Sequence, residues 1–168
     1  MRIFLLGYMG TGKTYWGKLW AARHGMDFFD LDHEIERNAG MTIREMFEKH
    51  GESFFREKEK EALYQFKNKN DFILSTGGGT PCFFDNMQWM NDNGITIYLN
   101  TSVQVLAERL TKEKDHRPLI KNLTNEELIP FIENNINKRN KFYIQSGVIL
   151  NTETIAEDTF EQIMRKYV

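Results

Sequence analysis

The sequence predicts a three-layer α/β domain with a central five-stranded parallel sheet flanked by helices. Three observations lead there. Along its 168 residues, short apolar runs alternate with longer amphipathic stretches, the strand-then-helix order of a parallel sheet covered on both faces. The first apolar run stops at Gly7, and a glycine-rich turn carries the chain directly into a helical pattern. Hydrophobic residues make up 40% and charged residues 27%, an ordinary globular balance without the low hydrophobicity of a disordered chain or the long apolar run of a membrane span.

Taken in order, strands are expected at residues 2–6, 26–30, 72–75, 95–99 and 148–150, each a short apolar run bounded by polar or glycine-containing turns. Helices are expected at 12–24, 32–38, 42–49, 52–67, 84–93, 102–110, 125–146 and 153–166. Residues 112–122 follow neither period and are crowded with Lys, Asp, Glu and His, so a mobile surface loop spanning about 111–124 is predicted, with a lid as its role. No repeat, low-complexity tract or Pro/Gly/Ser-rich linker divides the chain, which therefore reads as a single domain, 1–168.

The net charge of −2 gives no reason to expect a basic surface that tracks nucleic acid. Cys82 is the only cysteine, which rules out an internal disulfide and suits a reducing cytoplasm. The opening apolar run is too short for a signal-peptide core or a membrane anchor.

Gly7, four residues, then Gly12, Lys13 and Thr14 match the phosphate-binding P-loop, and they lie between a predicted strand and a predicted helix, as that motif requires. Gly7, Gly10 and Gly12 let backbone N–H groups, Thr11 among them, turn inward around a polyphosphate at the positive end of the helix. Lys13 would reach the β- and γ-phosphates of ATP, and Thr14 would offer a hydroxyl to Mg²⁺. Asn68, Lys69, Asn70 and Asp71 spell a guanine-reading pattern, but they follow a helix and precede a strand, and no Asp-x-x-Gly switch motif accompanies them. A polar helix-to-strand turn is the better reading.

Phosphoryl transfer to a small acceptor needs a carboxylate near the acceptor hydroxyl and cations to hold the acceptor and spread developing charge. Asp30 and Asp32 end the second predicted strand, at the sheet edge that faces the phosphate loop. If the strand persists, spacing by two points both the same way. A helix N-cap with an acidic first turn is the plain alternative, and both can hold together.

From Asp30-Leu31-Asp32 onward the chain resembles shikimate kinase. The pattern continues through Ile35-Glu36, Gly40, Thr42-Ile43, Glu45, Phe47, Gly51-Glu52, Phe55-Arg56 and Glu59. It runs on through Thr76-Gly77-Gly78-Gly79, Arg117-Pro118-Leu119, and Arg139 with Tyr143, so it covers nearly the whole chain in order. The resemblance implies a P-loop kinase that moves the γ-phosphate of ATP to the 3-hydroxyl of shikimate, giving shikimate 3-phosphate and ADP in aromatic amino-acid (chorismate) biosynthesis. It implies that Asp32 binds the acceptor hydroxyl as base and that Asp30 helps hold Mg²⁺ through water. Arg56 and Arg139 would grip the acceptor carboxylate, Gly77, Gly78 and Gly79 would present backbone N–H groups, and Arg117 would close over the phosphates from the lid. The acceptor-binding region would span about 32–61, and size and family habit imply a monomer.

Taken singly, Arg56 among Glu52, Glu57, Lys58 and Glu59 reads as a solvated helix ion pair, and Arg139 has a similar plain reading. Three adjacent glycines after an apolar strand mark close backbone approach. The family's adenine-stacking arginine, seven residues before the lid arginine, is replaced by Leu110, with Arg109 one earlier. Arg109 is assigned to ATP, through either a lid one residue longer or a different packing of adenine. Leu31 replaces a small polar residue, at a position where its side chain points away from its neighbours. Tyr15 falls among the ATP-binding positions, although its bulk, like that of Trp16, suits packing against the sheet. His24, His33, His50 and His116 lack metal-ligand spacing and suit surface or capping roles, and Cys82 suits an inert thiol. A kinase of gluconate or a nucleoside monophosphate would share the loop but leave the glycine triplet unexplained, and an idle nucleotide-binding switch is opposed by the retained Lys13, Thr14, Asp32 and three arginines.

Overall fold

The computed structural model describes residues 1–114 and 119–167. Strands β1 (Arg2–Leu6), β2 (Asp27–Asp30), β3 (Phe72–Ser75), β4 (Ile95–Asn100) and β5 (Val148–Asn151) form one sheet in the order β2-β3-β1-β4-β5, with every pairing parallel. Ile3, Phe4, Leu5 and Leu6 in the central strand are fully buried, because a parallel strand with helices on both faces must be apolar on both. At the edge, Ile149 and Asn151 of β5 are exposed.

Strand alternation sorts the core into two layers. Ile3 and Leu5 face Trp20 and Ala21 of α1 (Lys13–His24) and Phe160 and Ile163 of α8 (Thr159–Tyr167). Phe4 and Leu6 face the other way, onto residues of α2 (Leu31–Ala39), α3 (Ile43–His50), α4 (Glu52–Gln65), α5 (Asn86–Asn93) and α7 (Asn125–Tyr143). A third cluster joins α6 (Val103–Glu113) to α7 through Leu106, Leu110, Leu128 and Ile132, with Tyr8 at its sheet end. Capping boxes fix two helix starts, Thr42 with Glu45 at α3 and Thr124 with Glu127 at α7.

Helix α1 lies unusually close to the sheet. A Cβ on buried Gly17 would stand 2.5 Å from a ring carbon of Phe28 in β2 and 3.1 Å from Leu5 in β1, so only glycine permits this approach.

Several element ends differ from those predicted. Helix α6 runs past Leu110 to Glu113, so Lys112 and Glu113 are helical where a loop was expected; its solvent face is polar and hides the period. The last helix begins at Thr159 rather than residue 153, because Asn151 Oδ1 accepts from Glu153 N and Thr159 Oγ1 from Ala156 N, folding a turn. Helix α5 begins at Asn86, after a 3₁₀ turn at Thr80–Cys82 and a left-handed Phe84, φ 50°. Helices α4 and α7 end slightly early, α4 passing into a 3₁₀ turn at Phe66–Asn68.

Candidate active site

The sheet order reverses around β1, where the chain leaves β3 on one side and β4 on the other, and a crevice opens at the carboxyl ends of the strands at such a point. A cavity of about 630 Å³ lies there. Its floor is the loop that joins β1 to α1. Gly10 and Gly12 have φ of 85° and 89°, left-handed conformations that suit glycine. At Gly7 a Cβ would stand 2.8 Å from the carbonyl oxygen of Leu99. Gly12 caps α1 without a side-chain hydrogen bond, which leaves first-turn N–H groups for an anion in the cavity. Thr11 is buried and donates its hydroxyl to the Tyr8 carbonyl at 2.8 Å, bracing the turn from behind. Lys13 Nζ donates to the carbonyls of Gly7 at 2.8 Å and Tyr8 at 3.0 Å and lines the cavity.

Asp30 and Asp32 reach the same cavity, but not as two residues of one persisting strand. Strand β2 ends at Asp30, which caps α2 by accepting from Asp32 N at 3.1 Å, and Asp32 stands in the first helical turn. The capping reading is borne out, and it does not take either carboxylate away from the cavity. Asp32 opens onto the cavity while protein surrounds its other sides. Burial first, then the carboxylates of Asp30 and Glu59, push its pKa up to about 6 against the opposing pull of the Lys13 ammonium. Thr14, whose side chain ends in a hydroxyl, and Asp30 line the cavity beside it.

The far side is built from guanidinium groups and the glycine turn. Arg56 of α4 donates from Nε and Nη2 to Glu52 Oε1, both at 3.2 Å, and from Nη1 to Glu59 Oε2 at 2.8 Å. The pairing with Glu52 is the solvated helix pair expected from sequence. The pairing with Glu59 is different, since that carboxylate is 1% exposed and also accepts from Thr80 Oγ1 at 2.6 Å. Arg139 of α7 lies over the Tyr8 ring, 5.4 Å from its centroid. The glycines explain how both arginines come so close. A Cβ on Gly78 would stand 2.9 Å from Arg139 Nη1, and one on Gly79 would stand 3.0 Å from Arg56 Nη2. Gly77, Gly78 and Gly79 have no left-handed φ, so close approach is what the glycine side chain permits. Tyr143, stacked on Tyr98 at 4.8 Å, donates its hydroxyl to the Gly78 carbonyl at 2.6 Å and holds the turn from behind.

Arg109 lies on the exposed face of α6, donates to the Gly10 carbonyl at 2.9 Å and lines the cavity, while Leu110 is buried against Gly10. The arginine one position early is therefore the one on the phosphate-loop side. Tyr15 is 65% exposed at the cavity wall, so the expectation that it packs against the sheet is corrected; the first turn of α1 carries it outward. Trp16 does pack on the core and on Trp20. Leu31 is buried, pointing away from both aspartates. Cys82 is half-buried, and burial raises its thiol pKa, as suits an inert thiol. His24 pairs with Glu161, and His50 packs on the Phe54 ring. Asn70 and the Lys69 carbonyl accept from Arg2, which fixes that stretch as a structural turn. Arg117, Pro118 and His116 lie outside the described residues.

No motif marks Ser75, Glu113 or Thr152, all of which line the cavity, or Thr80, which ties Glu59 to the glycine turn. Of these, Ser75 carries the one available signal, as the polar end of an apolar strand next to the glycines.

Comparison with known proteins agrees with this geometry. The family model described as shikimate kinase matches residues 9–168. The chain is 43% identical to the shikimate kinase of Parabacteroides distasonis over 158 residues, 94% of this chain and 91% of that one. It is 46% identical to that of Flavobacterium psychrophilum over 84% of each chain. The crystal structure of shikimate kinase from Bacteroides thetaiotaomicron superposes with a TM-score of 0.88 at 39% identity, covering 99% of this chain and 96% of the other. Shikimate kinase from Acinetobacter baumannii in complex with shikimate superposes with a TM-score of 0.83 at 33% identity, covering 99% and 92%. With the cavity, the loop and the family pattern in agreement along its length, the chain belongs to the shikimate kinase family.

Proposed function

We propose that the cavity transfers the γ-phosphate of ATP to the 3-hydroxyl of shikimate by direct in-line displacement, without a covalent enzyme intermediate. The N–H groups of residues 10–14 and the Lys13 ammonium hold the phosphates, Arg109 and Tyr15 lie on the nucleotide side, and the family pattern assigns Arg117 to the phosphates as well. Arg56 and Arg139 fork onto the acceptor carboxylate, a planar partner suited to guanidinium. The glycine turn presents its backbone to acceptor and γ-phosphate alike. Asp32 accepts the proton of the attacking hydroxyl, and its raised pKa makes it a better proton acceptor than an ordinary aspartate while leaving it ionised at neutral pH.

Thr14 and Asp30 supply only oxygen donors, which suits Mg²⁺. Among the described residues no group of three or more His, Cys, Asp or Glu is placed to hold a metal, which fits an ion that arrives with ATP and borrows few protein ligands. Thr14 and, through water, Asp30 would hold Mg²⁺, which would supply positive charge to offset that of the phosphates.

The whole chain acts as one domain, with an acceptor-binding region at about 32–61 and a lid borne by the connection between α6 and α7. A cytoplasmic monomer is the setting proposed, from the lone Cys82 and the habit of the family. Among the described residues no helix is long and apolar enough to cross a membrane.

The observation that carries this reading is the convergence of the glycine-rich loop at the start of α1, the Lys13 ammonium and a carboxyl of raised pKa on one cavity. ADP release measured in a coupled assay should depend on shikimate. Absence of that dependence would overturn the reading, and gluconate and nucleoside monophosphates run alongside identify any other acceptor.

A further inference from the structure

The face of Arg56 is as closely bounded as its edges. Its Cζ lies 3.8 Å from the centroid of the Phe83 ring, and the Phe55 ring lies 4.9 Å away. The carboxylates of Glu52 and Glu59 take N–H groups along the guanidinium edges. In-plane hydrogen bonds fix where those edges point but resist tilting out of the plane only weakly. An aromatic ring 3.8 Å from the guanidinium carbon opposes that tilt and shields the group from water on its side.

The chain is shaped to put the ring there. Phe83 directly follows the 3₁₀ turn, whose Thr80 is bound at both ends, its hydroxyl to Glu59 and its carbonyl to Asn86 Nδ2 at 2.9 Å. The Phe83 carbonyl accepts from Asn86 N at 3.2 Å. The next residue, Phe84, takes a left-handed φ of 50°, a strained conformation for a bulky side chain, and is 52% exposed. The strain lets two consecutive aromatics diverge, Phe83 toward Arg56 and Phe84 toward solvent.

We propose that Phe83 is a positioning residue for the acceptor: its ring is the platform that holds the Arg56 guanidinium in the plane in which it meets the substrate carboxylate. The inference rests on the reading of Arg56 as a carboxylate ligand. With the ring present, the N–H groups left over by Glu52 and Glu59 are already aimed, and less freedom is lost when a carboxylate binds.

The test is steady-state kinetics with shikimate and ATP on Phe83→Ala, Phe83→Leu, Phe83→Tyr and Arg56→Ala, each with a thermal melt. Phe83→Ala should raise KM for shikimate about tenfold, the size of a desolvated cation–π contact. The turnover number and KM for ATP should stay within about twofold. Phe83→Tyr should restore KM to within about twofold, whereas Phe83→Leu, which fills the space without a π face, should not. Rescue by Leu would overturn the proposal in favour of packing, as would an unchanged KM in Phe83→Ala while Arg56→Ala raises it. If Phe83→Ala does not fold, the Leu and Tyr pair carries the same decision. An unchanged shikimate KM in Arg56→Ala would instead remove the carboxylate role of Arg56, and the platform with it.

Discussion

The two halves of the cavity solve the problem of holding an anion in different ways. The donor half is built mainly from consecutive residues, a loop shaped by Gly7, Gly10 and Gly12 at the start of α1, with Arg109 of α6 added from a distance. The acceptor half is made from side chains of α4 and α7 and a turn between β3 and α5, residues far apart in sequence. Its cations are held by acids and aromatic rings, Arg56 by Glu52, Glu59 and Phe83. Backbone donors cannot be mutated away, so much of the donor half is sensitive to loop geometry rather than to side-chain identity. The acceptor half depends on individual side chains and should fail one function at a time.

The sharpest break lies at the join. Asp32→Asn keeps the shape but cannot accept a proton, so kcat should fall on the order of 10³-fold while ATP affinity by calorimetry stays within about twofold. Unchanged turnover would remove Asp32 from the chemistry. The acceptor half should give way next. Gly78→Ala sets a methyl against Arg139, and KM for shikimate should rise by about 30-fold, the range of an overpacked contact, with ATP binding intact.

A smaller effect comes from pH. As the proposed proton acceptor Asp32 must be ionised, and its pKa is raised to about 6, so kcat/KM for shikimate should be level above pH 7 and lower by about tenfold at pH 5. The same elevation has the opposite sign for stability. The folded state binds a proton that the unfolded state has released between about pH 4 and 6, so this group favours folding at low pH and loses that contribution as pH rises through 6. Because Asp32 faces the solvent-filled cavity, Asp32→Asn should stabilise the fold at pH 7 by only about 0.5–1 kcal/mol in urea melts. The smallest effect is expected of Tyr15→Ala. With its ring 65% exposed, stability should move by no more than about 0.5 kcal/mol, and any rise in KM for ATP measures how far it touches the nucleotide.

The same contrast governed what could be read from the chain. The donor loop was plain because its spacing is local and its strand-to-helix setting can be checked a few residues either side. Arg56 and Arg139 were each ambiguous alone and gained meaning only from the ordered pattern through Gly77, Gly78 and Gly79. The reason for those glycines, room for two guanidinium groups, depends on helices α4 and α7 arriving there and has no local signature. Thr80, Thr152 and Glu113 stayed invisible for the same cause. The strands were found nearly to the residue, since buried parallel strands are unbroken apolar runs. The ends of α6 and α8 were missed because polar faces and side-chain-capped turns set them.

Gly17 touches neither substrate, yet it works as a spacer gauge. Helix α1 begins at the phosphate loop and lies on β2, the strand that ends in Asp30, so the thickness of the contact at Gly17 and Phe28 sets how far the loop stands from the aspartates. An added methyl there would widen the gap that the phosphoryl group must cross, and a displacement of about 1 Å can cost on the order of 10²-fold in rate. The loss would fall on turnover while each substrate still bound its own half, an injury of dimension rather than of chemistry.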